Sequence, residues 1–98
     1  MNIIENIVYS NNKPSVVIIK KSDTLKQFAV GLGKDAVLKK HITPVPATLV
    51  VLKGNINFEI EGKTHHFKAW DTYEIPVNIS HEVVGVSDEN LFMVTQEL

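Results

Sequence analysis

The chain has 98 residues, a hydrophobic fraction of 44% and a formal net charge of −1 at pH 7, which fits one small globular domain. It has no cysteine, which excludes disulfides, cysteine–zinc sites and thiol nucleophiles. All ten basic residues are lysines, and without arginine or excess positive charge we expect no nucleic-acid partner. No apolar run exceeds four residues and the N-terminus lacks a signal-peptide pattern, so we expect no membrane association and a cytoplasmic location.

Residues 1–15 make up an N-terminal segment ahead of the first clear strand. Its apolar residues fit either a short helix or a strand, and the segment is too brief for periodicity to choose between them. The stretch 10–14 has the composition of a turn and ends in Pro14.

Eight or nine short strands are predicted to follow, at a spacing of about ten residues. The clearest is 56–60, where Ile56, Phe58 and Ile60 alternate with polar residues, so that one face must be core. No internal helix is predicted. This pattern favours an all-β sandwich or barrel. The other predicted strands and strand-like runs are 16–20, 25–32, 36–40, 48–52, 64–68, 73–75, 81–86 and 91–95.

Two motifs stand out between residues 38 and 92. The first runs from His41 to Ala47 and continues as Val51-Leu52-Lys53-Gly54; the second is Trp70-Asp71, then Ile75-Pro76-Val77-Asn78, then His81. Together they resemble the small single-domain cupins, an all-β family whose fold is a double-stranded β-helix or jelly-roll barrel. The resemblance implies that residues 16–98 form one cupin β-barrel behind the N-terminal segment. A chain this small also gains stability from self-association, so we expect a homodimer.

Metal-binding cupins hold their ion with three histidines and one glutamate. The resemblance places His41 and His81 at two of these positions, whereas Thr43 and Ala47 stand at the other two. No cofactor is therefore firmly expected. What the resemblance leaves open is a degenerate site for a divalent metal (Zn, Fe, Mn or Ni) held by His41, His81 and His65. The alternative is that the histidines bond only to backbone or water.

Two glycines of the family motifs are also replaced, by Trp70 and Asn78. Asparagine tolerates a left-handed backbone, but tryptophan does not, so the corner at Trp70 is predicted to be strained or built differently. The following Asp71 is predicted to accept backbone N–H bonds in this turn.

The barrel interior, with His41, Tyr73, His81 and Trp70 as its lining, is expected to bind a small molecule, which makes the protein a binding or sensing module. Two alternatives stay open. One is a metal-dependent enzyme, a dioxygenase or isomerase, that uses the incomplete histidine set. The other is a structural dimeric scaffold without ligand. No catalytic residue is assigned, because one fold hosts many chemistries.

Overall fold

The computed structural model describes all 98 residues and confirms that the chain is almost entirely β. Of the two forms left open for the N-terminal segment, the structure has one turn of helix. None of its helices is long and apolar enough to cross a membrane. In chain order the elements are α1 (Ile3–Asn6), β1 (Ser15–Lys21), β2 (Leu25–Gly33), β3 (Val37–His41), β4 (Ala47–Lys53), β5 (Asn55–Ile60), β6 (Lys63–Lys68), β7 (Thr72–Ile75), β8 (His81–Gly85) and β9 (Glu89–Glu97).

The strands form two antiparallel sheets that pack face to face. The large sheet has the order β1-β2-β9-β4-β7, and the small sheet has the order β3-β8-β5-β6. Neighbours in space are often distant in sequence: β2 pairs with β9 from Leu25 opposite Glu97 to Gly33 opposite Glu89. This long-range antiparallel pairing is typical of a jelly roll.

Side chains that alternate along the strands point into the space between the sheets. The predicted alternation in β5 is confirmed, because Ile56, Phe58 and Ile60 are all buried. They belong to a core of 13 buried residues that includes Val83 from the small sheet and Phe92 from the large sheet. The core therefore lies between the sheets and forms the inner wall on which any central site is built.

The N-terminal segment covers the outer face of the large sheet. Ile7 packs with Ala29 and Leu91 in a second, smaller buried cluster. The approach is close, because a Cβ on Gly31 would lie 2.7 Å from the backbone oxygen of Val8. Ile3, Ile7 and Tyr9 thus pack on the outside of the sheet, whereas residues 12–14 border the space between the sheets.

Asn90 joins three parts of the chain from a fully buried position. Its Oδ1 accepts from the backbone N–H groups of Asn55 and Ser87, both at 3.0 Å, and its Nδ2 donates to the carbonyls of Leu32 at 3.0 Å and Ser87 at 2.7 Å. All four hydrogen-bonding positions of the amide are used. Gly54 leaves the necessary room, since a Cβ there would lie 2.6 Å from Oδ1 of Asn90.

The predicted strain at Trp70 is confirmed. Its φ is +76°, and Asn78, at the other replaced glycine, has a φ of +63°. The corner is held by a bond from the Trp70 N–H to the Val51 carbonyl at 2.7 Å. Asp71 accepts from the backbone N–H of Lys68 at 2.9 Å, as predicted. The left-handed turn is thus kept although the glycine is not.

The sandwich is open along one side. β1 is the outermost strand of the large sheet and β3 is the outermost strand of the small sheet, and the two do not pair with each other. On β1, Val16 and Ile18 are exposed, at 52% and 49%. This unpaired side gives access to the space between the sheets.

Candidate ligand-binding site

A cavity of about 720 Å³ lies between the two sheets and opens between β1 and β3. Its volume falls in the range of about 300–1,000 Å³ that is typical of small-molecule sites. The inner wall comes from both sheets and is apolar, with Leu49, Phe58, Ile75, Val83, Phe92 and Val94.

His81 lies in this cavity at the first residue of β8 and is only 2% exposed. Its Nδ1 is 3.0 Å from the carbonyl oxygen of Ile79, and because a carbonyl can only accept, Nδ1 carries the proton of this bond. The ring stacks on Phe58 with 5.1 Å between centroids. Burial lowers the pKa of His81, and repulsion from His41 lowers it further, against the opposing effect of the Ile79 hydrogen bond. The neutral ring therefore presents the lone pair of Nε2.

His41 lies opposite His81 in the pairing of β3 with β8, with 4.3 Å between ring centroids. Its Nδ1 donates to the carbonyl of Lys39 at 2.9 Å, which leaves Nε2 for a ligand. A β-bulge sets this position: β3 advances three residues from Leu38 to His41 while β8 advances two from Val83 to His81. The extra residue places the two histidines opposite each other at the cavity wall, with 65° between their ring planes.

The other two positions of the metal-binding pattern add no ligand. Thr43 lines the cavity and is 5% exposed, and Ala47 is buried in the core. No group of three or more His, Cys, Asp or Glu side chains in the structure is arranged to hold a metal ion. A metal at His41 and His81 would have two protein ligands, fewer than the three that even open catalytic sites use, so the residues present do not fit a resident metal.

His65 is not brought together with this pair, contrary to the expectation of a three-histidine site. It stacks on Phe67 with 5.8 Å between centroids and lies 5.4 Å from Tyr73. The aromatic contacts run from His81 through Phe58 to these two rings, and only they touch His65. His65 lies on β6, which β5 separates from β8, so it is two strands away from His81.

Tyr73 packs against the core beside Phe58, with 5.0 Å between centroids, and does not line the cavity. Trp70 does not line the cavity either, contrary to the prediction. It is 76% exposed and borders a shallow groove on the outer face with Ile3 and Leu52. Only His41 and His81 of the four predicted lining residues contribute to the cavity.

Four lysines line the cavity, and no aspartate or glutamate does. Sequence analysis does not single them out, because they come from three separate segments and share no motif. None forms a salt bridge; the single salt bridge joins Lys53 to Glu89 elsewhere. The ammonium of Lys26 lies near the cavity wall, 5.4 Å from the ring centre of Phe28. The four are Lys13, Lys26, Lys39 and Lys40.

No protein-family model matches the sequence. No curated protein is similar to it in sequence either. Among solved structures, the chain is similar to an uncharacterised conserved protein with a double-stranded β-helix domain from Klebsiella pneumoniae, with a TM-score of 0.88, 16% identity, and coverage of 99% of this chain and 87% of that chain.

It is also similar to a cupin superfamily protein from Desulfitobacterium hafniense, with a TM-score of 0.84, 11% identity, and coverage of 94% of this chain and 84% of that one. A third similar structure is a cupin 2 conserved barrel domain protein from Leptotrichia buccalis, with a TM-score of 0.87 and 21% identity; all of this chain matches 47% of that chain. At these identities the similarities establish the fold and leave the activity open.

Proposed function

We propose that this domain, which has the cupin double-stranded β-helix fold, binds a small organic molecule in the cavity between its two sheets. The observation that carries the proposal is the cavity of about 720 Å³, apolar on its inner wall and bordered at one point by the paired rings of His41 and His81. An apolar wall supplies affinity and a few polar groups fix orientation, as in most small-molecule sites.

The two imidazoles suit recognition of a polar group on the ligand. Each Nδ1 is occupied by a backbone carbonyl, so in the neutral ring each Nε2 accepts a hydrogen bond from a ligand N–H or O–H group. A ligand hydrogen bond to His81 should contribute to affinity, because this ring is buried and its Nε2 gains a partner when the ligand binds.

Binding is favoured over catalysis by the side chains around the cavity. No carboxylate lines it, and both histidines donate to backbone carbonyls instead of to a carboxylate. A catalytic histidine is commonly oriented and made more basic by such a carboxylate. The pair is thus equipped to orient a ligand.

A thermal-shift screen with small metabolites tests the proposal, with one variant that narrows the opening and one matched control. Val16→Trp places a large side chain at the opening, on an exposed edge position that tolerates it. Val86→Trp makes the same change at a site that is 42% exposed and outside the cavity. A ligand at 100 times its Kd adds about 2.7 kcal/mol to the free energy of unfolding.

We expect the compound that stabilises the native sequence to stabilise Val86→Trp equally and to have no effect on Val16→Trp. No stabilisation by any compound would favour a structural scaffold. Stoichiometric metal in protein purified without nickel resin, and lost in His81→Ala, would instead favour the metal-dependent alternative.

A further inference from the structure

We propose that the ligand is an organic anion, with an apolar body that lies against the inner wall and an acidic group that lies at the opening. This inference rests on the proposed function and adds the charge of the ligand. It follows from how charge is distributed around the cavity.

The positive charge comes from both sides of the opening. Lys39 and Lys40 lie in the bulge of β3 on the small sheet, whereas Lys26 lies on β2 of the large sheet and Lys13 in the loop before β1. Lys40 also borders a shallow groove with Glu59 and Glu82, so its charge is partly balanced. The other three form no salt bridge.

The concentration of lysines runs against the charge of the chain as a whole. The protein has 11 acidic residues and a net charge of −1, yet none of its acidic side chains lines the cavity. A recess with charge of one sign and low-dielectric walls concentrates oppositely charged ligands. The apolar inner wall adds the second requirement, which is that the ligand carries a body able to leave water.

Because the positive groups are lysines, the site should have a particular kind of selectivity among anionic ligands. Lysine ammonium groups are flexible point charges, without the planar fork by which arginine matches one acid geometrically. We therefore expect the site to select the charge of the ligand more strongly than the exact shape of its acidic group.

Octanoate, 1-octanol and octylamine test the inference, because they share one apolar chain and differ in the charge of the head group. Their dissociation constants are measured by calorimetry in low-salt buffer at pH 7.5. We expect octanoate to bind about tenfold more tightly than octanol, the equivalent of about 1.4 kcal/mol, and octylamine to bind most weakly. In about 1 M salt, where the Debye length is about 3 Å, the preference should disappear.

Two triple variants with the same change in net charge assign the effect to the opening. K13Q/K26Q/K39Q removes three lysines that line the cavity, and it should abolish the preference for octanoate over octanol. The control removes three lysines that do not line it, and it should keep the preference; it is K34Q/K63Q/K68Q.

Equal affinities for octanoate and octanol would overturn the inference and leave the proposed function standing. The same conclusion would follow if both triple variants lost the preference equally, since the effect would then belong to net charge and not to the opening. If none of the three compounds binds, the proposed function fails and the inference fails with it.

Discussion

Replacement of Asn90 by alanine should be among the most destabilising single changes to a polar residue of this protein. The amide is fully buried and makes four hydrogen bonds, two as acceptor and two as donor. Its partners are backbone groups of Leu32, Asn55 and Ser87; a second side-chain bond joins Asn55 to Ser87, but no other side chain bonds to Leu32. Alanine removes all four bonds at once.

The magnitude follows from those bonds. Each contributes about 1 kcal/mol net, and a buried group left without a partner costs about 1–3 kcal/mol. Because Asn55 and Ser87 lie close enough to the surface for water to replace part of their loss, we expect a total of about 3–4 kcal/mol. That is a large share of the roughly 5–15 kcal/mol of a typical domain.

Urea unfolding followed by circular dichroism measures this change, and the midpoint of thermal unfolding should fall by at least about 12 °C. Asn57→Ala is the matched control. Asn57 lies on β5, is only partly buried and has one side-chain bond, in which its Oδ1 accepts from Nδ1 of His66 at 2.6 Å, so its replacement should cost less than about 1 kcal/mol. A loss below 1 kcal/mol for Asn90→Ala, or equal losses for both variants, would refute the reasoning.

Three further experiments have expected outcomes. Burial lowers the pKa of His81, so as pH falls through about 6.5 the imidazole takes up a proton in the unfolded chain before it does so in the native protein. The free energy of unfolding should therefore decrease from pH 7.5 to 5.5, and it should decrease less for His81→Gln. Equal decreases would contradict this. Trp70→Gly should relieve the strain of the left-handed backbone and raise the free energy of unfolding in urea by about 1 kcal/mol, more than Asn78→Gly does. A decrease would contradict the presence of strain. We expect a dimer by light scattering because so small a chain gains stability from self-association, and a monomeric native protein would contradict this.

The fold was predictable because its signals are local. The alternation in β5 and the corners at Trp70 and Asn78 are each encoded within a few residues, and the structure has each of them. The role of Asn90 was not predictable. Its partner Leu32 is 58 residues away in sequence, and no pattern connects the two.

The site was predictable only in part, for the same reason. The pairing of His41 with His81 follows from the motifs, and the structure brings the rings together. His65 was expected to join His41 and His81, but sequence alone does not show that β5 separates its strand from β8. Trp70 was expected among the lining residues, yet the structure places its ring on the outer face. The lysines at the opening come from separate segments, so only the folded structure shows that they form one group.

The bulge between Leu38 and His41 makes the length of β3 a separate means of changing the site. With Leu38 opposite Val83, a regular antiparallel ladder would place Lys40 opposite His81, and the extra residue of the bulge places His41 there instead. β3 is an outermost strand, so this irregularity affects the pairing with one neighbour alone. The meeting of the two histidines thus depends on the backbone of β3 as much as on the identity of the two residues.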